Sequence, residues 1–82
     1  MTTAKSVVLY TKEHNCAPCL EAKRFLQENH IEYVEKDVEN NRDNLMELVQ
    51  QYRLMSVPVL VVDATPVKGF DRLEYQQALG LT

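Results

Sequence analysis

The only two cysteines of the chain, Cys16 and Cys19, are separated by two residues. Secreted mini-proteins usually carry several cysteines as a disulfide framework, whereas one close pair indicates redox or metal chemistry. A purely structural disulfide is disfavoured, because so small a ring removes little entropy from the unfolded chain. A structural zinc site needs four ligands, and only His14 and His30 remain, with His30 expected at the far end of a helix. The pair therefore predicts thiol–disulfide exchange and no metal site.

The elements on either side of the pair assign different roles to the two sulfurs. Residues 6–10 are β-branched and aromatic and predict a strand, whereas residues 17–29 are rich in helix formers, with Pro18 tolerated in the first turn. Cys16 then lies at the helix N-terminus, where N–H groups and the helix dipole stabilise a thiolate, the form that attacks a disulfide. Cys19, one turn further and facing the core, is predicted to resolve the mixed disulfide.

The remaining sequence predicts an α/β order of elements. Residues 31–37 alternate as a second strand, residues 57–62 form a continuous apolar run typical of a buried central strand, and a turn at 63–66 leads to a short strand at 67–69. A polar cluster at 40–43 precedes a helical stripe, and Asp71 can cap a last helix that ends near Gly80. The stripe consists of Leu45, Leu48, Val49 and Tyr52. The first two strands are expected to be parallel and the last two antiparallel.

Two residues near the cysteines each have two interpretations. Lys12 either adds positive charge beside the Cys16 thiolate and lowers its pKa, or it is a solvated loop lysine. Pro58 interrupts an otherwise central strand, where proline removes a hydrogen-bond donor. Either the Val57–Pro58 bond is cis at the end nearest the cysteines, or Pro58 is a trans residue on an edge strand, which the local sequence alone favours.

Composition excludes several classes of protein. The 82 residues, taken as a single domain over 1–82, carry a formal charge of −3 from nine basic and twelve acidic residues. That balance argues against nucleic acid as a partner. The apolar runs are too short for a membrane helix, and the first five residues lack the apolar stretch of a signal peptide. We therefore expect a cytoplasmic protein, without membrane partners and monomeric by default.

Three motifs together resemble the glutaredoxin family over nearly the whole chain. The first is a strand that leads through a loop into a Cys-x-x-Cys at the start of a helix. The second resembles the family's Thr-Val-Pro, and the third its Gly-Gly-x-Asp-Asp-Leu. In this chain they read Tyr10-Thr11-Lys12 followed by Cys16-Ala17-Pro18-Cys19, then Ser56-Val57-Pro58, and Lys68-Gly69-Phe70-Asp71-Arg72-Leu73.

The resemblance implies a thioredoxin-like fold of the order β-α-β-α-β-β-α, in which three helices flank a four-stranded mixed sheet. It implies that Cys16 is the nucleophile and Cys19 the resolving cysteine. It also implies a cis Pro58 packed against the pair and a Val57 backbone that pairs with an extended substrate. The implied substrate and glutathione surface comprises Lys12, Val57, Pro58, Gly69, Phe70 and Asp71. Phe70 is either such a contact or part of the core, and Asp71 is a helix cap that also lies at a glutathione-binding position.

Four features depart from the glutaredoxin pattern, and three of them touch the glutathione-binding surface. The family's Cys-Pro-Tyr-Cys is absent, one loop residue is added before the first cysteine, and two positions of the last motif are basic. These departures are Ala17-Pro18, Asn15, Lys68 and Arg72. The Gly69-Phe70 pair also resembles NrdH-type redoxins, which take electrons from thioredoxin reductase.

The resulting prediction is an enzyme that reduces disulfide-containing proteins. Its reductant is either glutathione, acting as a co-substrate, or thioredoxin reductase, and it needs no tightly bound cofactor. The alternative is a binding protein with little turnover that holds a metal or an iron–sulfur cluster through Cys16. In some glutaredoxins such a cluster is shared between two monomers and two glutathiones.

Overall fold

The structure, a computed structural model, describes residues 6–81, which form four strands and three helices. In chain order these are β1 (Val7–Thr11), α1 (Ala17–Glu28), β2 (Val34–Asp37), α2 (Arg42–Tyr52), β3 (Val59–Val62), β4 (Thr65–Lys68) and α3 (Arg72–Leu79). The sheet order is β2-β1-β3-β4. The chain thus has the thioredoxin-like fold that the motifs predicted. No helix within residues 6–81 is long and apolar enough to cross a membrane.

The two central strands, β1 and β3, run antiparallel and are almost wholly buried. Side chains of a strand point alternately to the two faces of the sheet. One face of both strands packs against α1 and α3, around Leu9, Leu60 and Phe25. The opposite face packs against Leu48 of α2 and includes Tyr10. This two-sided burial explains why the segments of β1 and β3 contain so few polar residues.

The edge strands differ from their predicted bounds. β2 pairs with β1 in parallel and begins at Val34, because Ile31 and Tyr33 pack on the core from the loop before it. β4 begins at Thr65, so the predicted turn at 63–66 shortens to Asp63 and Ala64, both with positive φ. Pro66 lies within β4, where an edge strand tolerates its missing N–H.

A charged cluster connects α2 to the sheet. The Tyr10 hydroxyl and the Lys36 ammonium both donate to Glu47 Oε1, at 2.6 Å each. The hydrogen bond from Lys36, followed by that from Tyr10, holds the pKa of the Glu47 carboxyl below its usual range. These bonds join β1, β2 and α2, so they set the position of the helix against this face of the sheet.

We predict that Leu60→Ala destabilises the protein strongly. Leu60 is fully buried in a central strand, and truncating such a leucine costs about 2–5 kcal/mol of unfolding free energy. In a domain of this size the midpoint of thermal unfolding should fall by at least about 8 °C. Leu20→Ala is the matched control, because Leu20 is 59% exposed and should shift the midpoint far less. Equal shifts in the two variants would contradict the assignment of the core.

Candidate redox site

The two cysteines lie at the N-terminus of α1 and are joined by a disulfide, with their Cα atoms 5.2 Å apart. Cys16 is the N-cap, and its Sγ accepts a hydrogen bond of 3.2 Å from the backbone N–H of Cys19. A sulfur in this position receives the helix N–H groups and the positive end of the helix dipole, which favour a thiolate. Pro18 occupies the first turn, where a missing N–H leaves no helical bond unmade.

The two sulfurs differ in exposure, as an attacking and a resolving cysteine should. Cys16 is partly exposed, whereas Cys19 is only 1% exposed and belongs to the buried set of α1. An incoming disulfide can therefore reach Cys16 directly. Cys19 can reach only a sulfur already attached to Cys16, which is the geometry of intramolecular resolution.

The other segments of the predicted site meet at the same end of the sheet. β1 ends at Thr11 before the loop that carries Lys12 to Cys16, and Tyr10 pairs with Val59 at the beginning of β3. Pro58 lies just before that strand, so it removes no donor from the sheet ladder. Its peptide bond with Val57 is cis, as the glutaredoxin resemblance implied and contrary to the trans edge-strand interpretation.

Gly69 joins the last motif to the segment around Pro58. Its N–H donates to the Pro58 carbonyl at 2.8 Å, and its own carbonyl accepts a hydrogen bond of 2.7 Å from the Tyr75 hydroxyl. The φ of Gly69 is +78°, which L residues with a side chain rarely adopt, although an added Cβ would meet nothing within 4 Å. Backbone conformation, and not lack of space, is what requires glycine here.

Phe70 is half-buried between α1 and α3. Its ring lies 6.0 Å from the Phe25 ring and 5.0 Å from the Tyr75 ring, both at edge-to-face angles. The Arg72 guanidinium lies 5.2 Å from the centre of the Phe25 ring. Phe70 therefore contributes to packing, and its additional role as a substrate contact stays a prediction.

Asp71 is the N-cap of α3, as the sequence predicted, and its Oδ1 accepts the Glu74 N–H at 3.0 Å. The carboxylate is exposed, so the cap leaves part of it open to solvent. Lys12 is half-buried in the loop after β1 and makes no ion pair with a carboxylate of residues 6–81. In that same range, no three His, Cys, Asp or Glu side chains are grouped as a metal site requires.

The residues that hold the loop before Cys16 were not predicted from the sequence. Glu39 Oε1 accepts the backbone N–H groups of Glu13 and His14, each at 2.9 Å, and Asn40 donates to the Glu13 carboxylate at 2.7 Å. The partners lie about 25 residues apart in the chain, so no local pattern connects them. The sequence assigns the polar cluster at 40–43 only a helix-capping role, which Asn41 does fill.

Comparison with known proteins identifies the family. The glutaredoxin family model matches residues 7–67, which include both cysteines, the cis proline and most of the sheet. The chain belongs to the glutaredoxin family. The chain combines the glutaredoxin fold with a Cys-x-x-Cys disulfide at a helix N-terminus. A sulfur in that position is suited to thiol–disulfide exchange.

Among curated proteins, this glutaredoxin-family chain is 39% identical over 67 residues to the global transcriptional regulator Spx 2 of Bacillus anthracis. The alignment covers 82% of the chain but only 50% of that relative. A Bacillus cereus Spx 2 is 36% identical over the same length, also 50% of its chain. The chain thus spans about half the length of the curated relatives it matches.

Solved structures share the thioredoxin-like fold of this chain. A mutant of the thioredoxin-like protein BC3987 superposes with a TM-score of 0.89 at 31% identity, covering 94% of this chain and 97% of that one. The glutaredoxin of Archaeoglobus fulgidus superposes with a TM-score of 0.77 over 90% of this chain and 85% of that one. At 16% identity the latter shows the shared fold alone.

We predict that Asp71→Ala lowers the unfolding free energy by about 1 kcal/mol, the usual cost of losing an N-cap side chain. Asp71→Ser should stay within about 0.5 kcal/mol of the wild type, because serine also caps helices well. Urea unfolding followed by circular dichroism measures both values. An Asp71→Ala variant as stable as the wild type would show that this hydrogen bond contributes little.

Proposed function

We propose that this protein is a dithiol disulfide reductase in which Cys16 attacks and Cys19 resolves. The observation that carries the proposal is the asymmetry of the pair: an accessible sulfur at the helix N-terminus and a buried one a single turn further along α1. The proposed substrates are disulfides of other proteins, and the proposed compartment is the cytoplasm, where such disulfides are kept reduced.

The proposed cycle balances two electrons and two protons. The Cys16 thiolate attacks one sulfur of the substrate disulfide, which breaks the S–S bond and releases the other sulfur as a thiolate that takes up a proton. The Cys19 thiol then loses its proton, and its thiolate attacks Cys16 Sγ in the mixed disulfide. The second substrate sulfur leaves as a thiolate and is protonated. The protein ends in the oxidised form and must be reduced again.

The residues around the disulfide suggest how the reductant is chosen. Glutathione would approach through the surface formed by Lys12, the Val57 backbone and Asp71. Lys68 and Arg72 are basic where the family pattern has a glycine and an acidic residue, and Pro18 replaces the usual tyrosine. These differences support thioredoxin reductase as the electron donor at least as well as glutathione.

We expect a direct competition between reductants to decide between them. A catalytic amount of the protein and an excess of a disulfide-containing protein such as insulin are supplied either with glutathione, glutathione reductase and NADPH, or with thioredoxin reductase and NADPH, and NADPH consumption is compared with that of mixtures lacking the protein. Turnover with glutathione makes the protein a working glutaredoxin, whereas turnover only with thioredoxin reductase places it with the NrdH-type redoxins. Asp71→Ser, which retains the helix cap, should raise the KM for glutathione if the carboxylate binds its amino group. The absence of turnover with both systems would contradict the reductase proposal.

Replacing Cys19 with Ser tests the dithiol mechanism. We expect the reduction of protein disulfides to fall by at least about 100-fold, because no second sulfur can resolve the mixed disulfide. Cys16→Ser should abolish the reaction altogether. A cluster held through Cys16 would instead survive in Cys19→Ser, and would give freshly purified protein a brown colour. An unchanged rate in Cys19→Ser would contradict the dithiol cycle.

The similarity to Spx 2 supports a second candidate function. That relative is described as a global transcriptional regulator, and it shares 39% identity with this chain over a 67-residue segment. In a regulator, the Cys16–Cys19 disulfide would act as a signal that forms and breaks once, not as an intermediate in turnover. Reversible oxidation of the pair without catalytic NADPH consumption in either reductant system would favour this function.

A further inference from the structure

The chain reaches Cys16 through a four-residue loop, 12–15, that belongs to no helix or strand. Asn15, the residue added relative to the glutaredoxin pattern, has a φ of +59°. Loops outside helices and strands, whose backbone is not held by a regular hydrogen-bond ladder, tend to open locally. The position of the nucleophilic sulfur therefore depends on whatever holds this loop.

The contacts that hold it come from the loop between β2 and α2. Glu39 Oε1 accepts the N–H groups of both Glu13 and His14 at 2.9 Å, and its Oε2 lies 3.3 Å from His14 Nδ1. One carboxylate thus satisfies two backbone donors and contacts one side chain. Hydrogen bonds to an ionised acceptor are stronger than those between neutral groups.

Glu39 is itself held in place by Asp37. Asp37 Oδ1 accepts the N–H groups of Glu39 and Asn40, at 2.7 and 3.1 Å, and Asn40 Nδ2 bridges Asp37 Oδ2 and Glu13 Oε1 at 2.7 Å each. The Val38 N–H donates to the Thr11 carbonyl at 2.8 Å, directly before the loop. The β2–α2 loop is therefore held against the end of β1. Asn40 contacts the side chain of Glu13, whereas Glu39 binds the backbone of the segment that leads to Cys16.

We propose that Glu39 is a positioning residue for disulfide exchange: it holds the 12–15 loop so that Cys16 stays at the N-terminus of α1. It acts through the loop backbone and not by contact with the substrate. This inference rests on the proposed role of Cys16 as the nucleophile.

The electrostatics agree with a permanent contact and not a pH switch. The backbone hydrogen bond from His14 holds the pKa of the Glu39 carboxyl below its ordinary value. The stabilisation that the ionised Glu39 carboxylate gives is therefore fully present above its ordinary pKa, and it is lost only as the pH falls through the lowered pKa. The other titratable side chains of this hydrogen-bonded cluster are those of Glu13, His14 and Asp37. Glu39 stays ionised throughout the range in which thiols react.

Two substitutions separate positioning from charge. Glu39→Gln removes the charge but keeps an oxygen that can accept both backbone N–H groups. Glu39→Ala removes both. Loss of a nearby negative charge alone would favour the Cys16 thiolate, whereas loss of the loop contact moves the sulfur away from the helix dipole and disfavours it. The two effects act in opposite directions, so the pair of variants distinguishes them.

The experiment measures alkylation of Cys16 by iodoacetamide as a function of pH, in reduced protein carrying Cys19→Ser so that one thiol reacts. We expect Glu39→Ala to slow the reaction at pH 7 by about threefold and to move the profile to higher pH, as for a thiolate that loses a helix-dipole contact. Glu39→Gln should react at least as fast as the parent. Glu32→Ala, which removes an exposed carboxylate in the loop before β2, is the control and should leave the profile unchanged.

Hydrogen exchange provides an independent measurement. The amides of Glu13 and His14 should exchange faster in Glu39→Ala and not in Glu39→Gln, while thermal unfolding shows that both variants remain folded. Parent-like alkylation in Glu39→Ala, or an equal decrease in both variants, would overturn the proposal. Alkylation needs neither a protein substrate nor a reductase, so failure of the proposed reductase function would leave this result interpretable.

Discussion

The antiparallel pairing of β1 with β3 is the constraint on which the rest of the structure depends. These two strands are buried on both faces, and their register sets Tyr10 opposite Val59. The end of β1 is thereby brought beside the beginning of β3. Since Cys16 follows β1 and the cis proline precedes β3, the same pairing brings together chemistry-bearing segments that are distant in the chain. β4 then adds Gly69 through its bond to Pro58.

Stability and reactivity are divided between the two faces and one end of this sheet. The faces carry the apolar clusters, closed by α1 and α3 on one side and α2 on the other. The reactive end contains short loops held by individual hydrogen bonds. Glu39 lies between β2 and α2 and accepts hydrogen bonds from the loop before Cys16. Tyr75 lies in α3 and donates a hydrogen bond to the carbonyl of Gly69. A local change in such a loop can therefore alter thiol reactivity without disrupting the core.

The features that the sequence predicted well depend on neighbours in the chain. The N-cap role of Asp71 and the end of α3 at Gly80 involve groups three or four residues apart, so local patterns reveal them. Cys16 at the start of α1 follows from the strand, the loop and the run of helix formers around it. The family motifs added the cis state of the Val57–Pro58 bond, which the local sequence alone did not favour.

By itself the sequence determined the order of elements, the buried character of the central strands, and the positions of both cysteines at a helix start. These depend on hydrophobic periodicity and on short-range capping, which operate within a few residues. Only the tertiary structure decided where β2 begins, that Pro66 belongs to an edge strand, and that Glu39 holds the loop before Cys16. Each of these is set by contacts between segments distant in the chain, and no local pattern encodes such partners.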